Sequence, residues 1–139
     1  MTWIVWSLLS ALFAASTALL AKKGVTGIDP NLAIAIRTTV VVFFAWAIAI
    51  GFGVHGEISQ IGRKSWIYLA LSGLATALSW ICYFRALSLG PASKVAPIDK
   101  LSVVFVIVLA WPLLGESMTL GKVIGGSLIA IGAVVISIF

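Results

Sequence analysis

Five long apolar runs, separated by short polar segments, dominate this sequence. Each is about 20 residues long, the length that an α-helix needs to cross the hydrocarbon core of a bilayer. Because the connections are short, consecutive helices must run antiparallel, and an odd number of spans places the two termini on opposite sides of the membrane. The pattern predicts an all-α membrane protein with spans at residues 1–21, 30–52, 66–89, 92–114 and 119–139.

The spans leave no room for a domain outside the membrane. Charged residues make up 9% of the 139 residues, against roughly 25% in soluble domains. The net charge is +5, but the basic residues are scattered over helix ends and loops and form no patch of the kind that binds nucleic acid. Membrane proteins place Lys and Arg at their interfaces. We therefore expect one transmembrane domain over residues 1–139 and no nucleic-acid partner.

Capping residues and helix breakers indicate where the spans begin and end. Asp29 and Pro30 are a favourable helix start, because the carboxylate caps free N–H groups and proline at the first position loses no hydrogen bond. Ser65 is a plausible cap for the third span. Breakers follow the first three spans, and the fourth contains two prolines; these residues are Gly24, Gly51, Gly53, Gly90, Pro91, Pro97 and Pro112.

The sequence offers no set of residues for a metal, a cofactor or catalysis. The one cysteine, Cys82, lies in an apolar run, and the one histidine, His55, lies in a loop between glycines. Neither has metal-ligand spacing, and no nucleophile–base set is recognisable. The first apolar run is also too long for a signal peptide and lacks its basic n-region. We expect a protein that is not an enzyme and has no cofactor and no metal.

Small and hydroxyl-bearing residues form stripes on three predicted helices, because residues three and four apart share a face. Such stripes let helices approach closely in lipid, which is our interpretation for the first and fifth spans. The third-span stripe has more hydroxyls and is flanked by Trp80, so it fits either helix packing or the lining of a polar cavity. The stripes are Ser7, Ser10, Ala14 and Thr17; Ser72, Thr76, Ser79 and Tyr83; and Gly121, Gly125, Gly126, Ala130 and Gly132.

Four charged residues lie at membrane depth within the predicted spans, toward one end of the bundle: Arg37, Arg85, Asp99 and Lys100. Charge at this depth is costly, and a functional site is the default hypothesis. Both arginines are long enough to snorkel to the interface instead. Asp99 is short and needs a partner such as Lys100 or an arginine, so it fits a structural ion pair or a substrate or proton site. Pro97 removes a backbone hydrogen bond nearby, and transporter sites often use interrupted helices.

The sequence from residue 65 onward resembles the EamA-like half of the drug/metabolite transporter superfamily. The resemblance rests on residues 83–88 (YFRALS), 91–97 (PASKVAP), 114–116 (LGE) and 121–132 (GKVIGGSLIAIG). Arg37 is similar to the arginine of the family's second helix. Typical members have ten helices in two inverted five-helix halves, so the resemblance implies one half of that fold, similar to the five-helix bacterial and archaeal branch. Residues 97–100 depart from the common pattern, which is apolar there.

The resemblance implies a secondary transporter that exports a small polar metabolite by alternating access. It implies a multi-pass protein of a bacterial or archaeal cytoplasmic membrane whose partners are lipid, the substrate and a second, antiparallel copy. We expect substrate binding or coupling by Asp99, Lys100, Arg37, Arg85, Trp80, Tyr83 and Ser79, and helix packing by Gly121, Gly125, Gly126 and Gly132. The alternatives are a membrane subunit that does not transport and a flippase for lipid-linked substrates.

Overall fold

A computed structural model describes residues 2–139. The chain is helical, and no strand occurs between residues 2 and 139. A short 3₁₀ helix, Val54–Gln60, lies between α2 and α3. The α-helices are α1 (Trp3–Gly24), α2 (Pro30–Gly51), α3 (Arg63–Leu89), α4 (Ala92–Asp99), α5 (Ser102–Leu114) and α6 (Leu120–Ile138).

The five predicted spans are confirmed. α1, α2, α3 and α6 are each long and apolar enough to cross a membrane, and α4 and α5 together form the fourth span, Ala92–Leu114. The protein is therefore a multi-pass membrane protein. Its helices contact few other residues of the same chain: no residue in the most apolar window of α2 is buried, and in α6 the buried share is 11%. Lipid or another protein must cover the remaining apolar surface, because exposing it to water is energetically unfavourable.

Asp29 caps α2 as the sequence predicts, and Thr119 caps α6 in the same way. Asp29 Oδ1 accepts hydrogen bonds from the backbone N of Asn31 at 2.8 Å and of Leu32 at 3.4 Å. Thr119 Oγ1 accepts one from the backbone N of Lys122 at 3.3 Å. These side chains satisfy N–H groups that have no partner within the helix.

Other boundaries differ from the sequence-based expectation. α1 continues through Lys22 and Lys23 to Gly24 and so extends beyond residue 21; Met1, the predicted first residue of that span, lies outside the described residues. α3 begins at Arg63, which places Ser65 in its first turn and not at its cap. His55 belongs to the 3₁₀ helix and not to an irregular loop. The sequence did not predict this helix, because so short an element leaves little periodicity in a sequence.

The chain divides into two compact units. The first unit contains α1, α4, α5 and α6, with α4 and α5 packed against α6. Its buried residues are small, namely Ala18, Ala110, Gly126 and Ala133, as close helix packing in a membrane favours. The second unit, Lys23–Ser88, contains α2, the 3₁₀ helix and most of α3.

Two lysines tie helix ends together in the first unit. Lys22 Nζ, near the end of α1, donates to the carbonyl of Gly90 at 2.9 Å. Lys94 Nζ, near the start of α4, donates to the carbonyl of Ser137 in the last turn of α6 at 3.2 Å. The last carbonyls of a helix lack intrahelical donors and carry partial negative charge, so lysines stabilise them. The contacts confirm the alternating helix directions within this unit.

Candidate functional site

In the second unit, Arg37 of α2 packs against an aromatic face of α3. Its Cζ lies 4.0 Å from the centroid of the Trp80 ring and 5.7 Å from that of Phe84. Trp80 and Phe84 are four residues apart and therefore share a face of α3. A guanidinium at this distance from an indole is held by cation–π attraction, worth about 2 kcal/mol where the pair is desolvated. Arg37 and Trp80 were both predicted as site residues, and the structure brings them together.

Tyr83 extends the same aromatic cluster. Its ring lies edge-on to Phe84, with centroids 6.4 Å apart and an angle of 69° between the planes. It is also close enough to Arg37 to interact with it electrostatically. Three of the predicted site residues, Arg37, Trp80 and Tyr83, thus form one cluster with Phe84. Phe84 was missed by the sequence analysis, although its spacing of four residues from Trp80 was a usable signal.

The guanidinium reaches into the span and not toward the nearest helix ends. Arg37 lies seven residues beyond Pro30, or about 10 Å along α2. It contacts Trp80 more closely than Phe84, and Trp80 is one turn further from the end of α3. Snorkelling would carry the charge toward the membrane surface. The contact with Trp80 instead keeps it at the depth of the aromatic cluster.

One nitrogen of this guanidinium has no hydrogen-bond acceptor. Arg37 Nη1 is buried, and none of the described residues accepts a hydrogen bond from it. Buried polar atoms are almost always hydrogen-bonded, so an exception calls for a physical explanation. Leaving a charged donor unsatisfied costs more than the 1–3 kcal/mol or so of a neutral one. The cluster therefore combines a fixed positive charge with unused hydrogen-bonding capacity.

Asp99 and Lys100 form a second candidate site, in the first unit. Lys100 Nζ lies 3.1 Å from Asp99 Oδ2, and the two side chains are 57% and 34% exposed, respectively. The predicted pairing of Asp99 with Lys100 is present, but the pair is only partly buried within one chain. Both residues lie where α4 ends, before α5 begins at Ser102.

The backbone changes its hydrogen bonding at this interruption. Leu101 N donates to the carbonyl of Ile98 at 3.0 Å, and Val103 N donates to that of Lys100 at 3.0 Å. These bonds span three residues, as in a 3₁₀ turn, and such a turn within a helix often marks a hinge. Pro97 lacks the N–H that would bind the carbonyl of residue 93. The fourth span is thus interrupted beside its charged pair.

The remaining predicted site residues do not join either cluster. Ser79 and Arg85 are exposed on α3. Thr76 Oγ1 donates to the carbonyl of Ser72 at 2.9 Å, so one hydroxyl of the third-span stripe is satisfied within its own helix. A shallow groove runs along a face of α2 that lies nearly opposite Arg37 by helical periodicity. It is lined by Ala35, Thr38, Thr39, Val42, Phe43 and Trp46.

The glycines of α6 divide between two faces. A Cβ built on Gly126 would lie 3.5 Å from Ile107 Cδ1 of α5, an ordinary contact distance. Gly126 therefore packs against another helix of the chain. At Gly121, Gly125 and Gly132 an added Cβ would meet no described atom within 4 Å. Helical periodicity places these three glycines together on another face, and packing there remains a prediction.

The chain matches known proteins along its whole length. The model of the EamA-like transporter family matches residues 1–138. The chain belongs to this family. A Sinorhizobium sp protein named as an uncharacterized transporter in the cobO 3' region is 46% identical over 138 residues, which cover 99% of this chain and 98% of that protein. No solved structure matches. The family and this relative identify a membrane transporter, and they confirm the resemblance on which the sequence analysis relied.

Proposed function

We propose that this transporter exports a small polar metabolite across the cytoplasmic membrane as a homodimer that works by alternating access. The observation that carries the proposal is the Arg37 cluster. It places a charged, incompletely hydrogen-bonded guanidinium inside a span, 4.0 Å from an aromatic ring. Such a group is costly in a membrane unless it serves binding or transport. Trp80 and Tyr83 provide aromatic surface beside it, which suits a small polar solute.

The number of spans in the described chain supports a dimer. Many transporters contain two repeats in inverted orientation, with the substrate site between them. One chain here has five spans, which correspond to one repeat, and the Sinorhizobium relative has nearly the same length. A second copy supplies the other repeat. Dimerisation would also cover part of the apolar surface that the helices leave exposed within one chain.

The interrupted fourth span supports alternating access. A substrate site can open to either side only if some helix bends or tilts, and hinges lie where backbone hydrogen bonding is irregular. The segment between α4 and α5 has this irregularity next to the Asp99–Lys100 pair. In the proposed cycle, this pair couples transport to a proton or to the charge of the substrate.

Transport by the purified protein in proteoliposomes tests the proposal. Vesicles preloaded with a panel of labelled amino acids, amines, nucleosides and sugar phosphates should release at least one solute faster than protein-free vesicles. Trp80→Ala should reduce this release by about tenfold, because the aromatic surface of the site is lost. Trp111→Ala, which removes an exposed tryptophan of α5, is the matched control and should retain it. Release no faster than from protein-free vesicles across the whole panel would argue against the proposal.

A further inference from the structure

The charge of Arg37 is not balanced by any carboxylate described in the chain. Neither of the two ion pairs among residues 2–139 includes Arg37. The sequence has four acidic residues. One caps α2, one lies on the exposed 3₁₀ helix, and two pair with lysines; they are Asp29, Glu57, Asp99 and Glu116. The guanidinium stays protonated at any physiological pH, and neither of these ion pairs neutralises it.

The geometry around Arg37 suits an oxyanion. A guanidinium presents its N–H donors in one plane, in a fork that matches the two oxygens of a carboxylate or phosphate. Arg37 Cζ lies over the Trp80 ring, 4.0 Å from its centroid, and this cation–π contact holds the guanidinium in place. Nη1 has no acceptor, so an incoming oxygen would satisfy a donor that is otherwise unpaired.

We propose that Arg37 binds the carboxylate or phosphate group of the transported metabolite, with Trp80 positioning the guanidinium. This inference rests on the proposed transport function and adds a substrate class: anionic or zwitterionic solutes. Because Nη1 is enclosed in the free protein, an oxygen reaches it only if the guanidinium or a neighbouring ring shifts. Binding must therefore change the surroundings of the Trp80 indole.

An equilibrium titration tests the anion site independently of transport. The protein in phosphatidylcholine nanodiscs is titrated with inorganic phosphate or acetate at constant ionic strength, and tryptophan fluorescence is recorded. Trp80→Phe identifies the part of the signal that arises from Trp80. Wild-type protein should show a saturable change that chloride does not produce. Arg37→Lys, which keeps the charge but loses the fork, should weaken binding about 10- to 100-fold, the effect of losing charge-assisted hydrogen bonds.

Arg63→Lys is the matched control, because Arg63 is an exposed arginine of the same unit at the start of α3. It should bind phosphate as the wild type does. Equal affinity in wild type and Arg37→Lys, or no saturable signal in the wild type, would overturn the proposal. If Arg37→Lys fails to insert, Trp80→Ala is measured by calorimetry instead. It should weaken phosphate binding by about 3- to 10-fold, and unchanged affinity would be equally decisive.

A lipid headgroup offers the same oxygens as a free phosphate, so a second arm separates these sources. In nanodiscs that contain phosphatidylglycerol, measured without inorganic phosphate, the Trp80 signal should be the same as in phosphatidylcholine nanodiscs. An Arg37-dependent change caused by this lipid alone would assign the site to lipid and overturn the assignment to substrate.

The vesicle assay then distinguishes failure of this inference from failure of the transport function. Transport of anionic or zwitterionic solutes that Arg37→Lys reduces at least tenfold, and that Arg63→Lys leaves intact, supports both. Transport restricted to cationic or neutral solutes overturns the substrate class but leaves the function standing. If the protein transports no solute but binds phosphate in a way that depends on Arg37, the result contradicts the proposed transport function and supports the anion site.

Discussion

Asp99 and Lys100 are neighbours in the sequence, and neighbours on a regular helix do not face each other. Their side chains nevertheless meet at 3.1 Å, where α4 gives way to the turn before α5. An ion pair that is exposed to this degree contributes about 0–1 kcal/mol. Because this contribution is small, we expect the Asp99 carboxylate to matter more for the proposed transport cycle than for stability.

Asp99→Asn should therefore impair transport more than it impairs folding. The substitution keeps the size of the side chain but removes its charge and its ability to carry a proton. We expect the protein to insert and the transport rate to fall by about 100-fold, the scale of a lost proton-transfer group. Flux is measured in proteoliposomes with imposed pH gradients.

Glu116→Gln provides the matched control for this prediction. Glu116 pairs with Lys122 at 2.9 Å, and it lies between α5 and α6 and not in an interrupted span. Its neutralisation should leave the flux intact. Wild-type flux in Asp99→Asn would show that the aspartate takes no part in transport.

Which of the four embedded charges would meet an aromatic cluster could not be predicted from sequence. The position of Arg37 on α2 and of Trp80 on α3 followed from the helix pattern. Their contact depends on how far two antiparallel helices slide along each other, and the sequence does not specify this. Arg85 has the same chemistry as Arg37 but is exposed. The hydrogen bonds of Lys22 and Lys94 to carbonyls at helix ends were missed for the same reason.

At the scale of the helices, Asp29 and Pro30 gave a reliable helix start, whereas Ser65 did not, because α3 begins at Arg63. Asp29, Pro30 and Thr119 act locally, so their effect on a helix start can be predicted from neighbouring residues alone. Pro97 signalled an irregularity, but the interruption occurs three to four residues later, between Asp99 and Ser102. Proline weakens a helix over a turn, and packing of α4 and α5 against α6 then decides where the irregularity is accommodated.

Pro97→Ala should stiffen the fourth span. Alanine supplies the missing N–H and removes the clash of the ring with the preceding turn, so α4 and α5 should join more regularly. We expect a stability gain of about 1–3 kcal/mol together with slower transport, because the hinge is lost. Thermal unfolding in detergent measures the first effect and vesicle flux the second. Pro112→Ala, within α5 and distant from the charged pair, should show the gain in stability without the slower transport.

The two glycine faces of α6 should respond differently to bulky side chains. Gly126→Leu would force a side chain toward Ile107, where a Cβ already lies 3.5 Å away, and should destabilise the monomer by about 1–3 kcal/mol. Gly125→Leu has open space within the chain, so it should leave the monomer stable. If this face packs against a second copy, it should weaken the dimer, which light scattering after size-exclusion chromatography measures. A Gly125→Leu protein that dimerises normally would place the dimer contact elsewhere.

At the scale of the whole molecule, five apolar runs were enough to predict the number of spans and their alternating directions. How the helices of each unit pack was not predictable from the sequence. Nearly every position in a span is apolar, so the buried face of a helix cannot be told from its exposed face by the spacing of its apolar residues. In α2, apolar residues face all directions, and none in its most apolar window is buried within one chain. In a soluble helix, polar residues would have identified the outer face.

Two copies of this chain can insert into one membrane in the same orientation or in opposite orientations. An inverted pair of repeats forms from identical chains only if they insert in opposite orientations. If the N-terminus is inside, the cytoplasmic loops hold Arg63, Lys64 and Lys122, and the opposite loops hold Lys22, Lys23 and Lys94. Because each side holds three basic residues, the positive-inside rule favours neither orientation. Counting Arg37, Arg85 and Lys100 favours the N-terminus outside, and a parallel dimer of fixed topology is the alternative.

Reporter fusions at the C-terminus distinguish these arrangements. One reporter is active only in the cytoplasm and the other only outside it, and dual topology predicts comparable signals from both. Adding one positive charge should then shift the ratio of the two reporter signals. A chain with equal basic charge on both sides is sensitive to small changes in loop charge. Gln60→Lys and Ser93→Lys add the same charge at exposed positions on opposite sides of the membrane, so they should shift it in opposite directions. Signal from a single reporter, unmoved by either substitution, would establish one fixed orientation and exclude the antiparallel dimer.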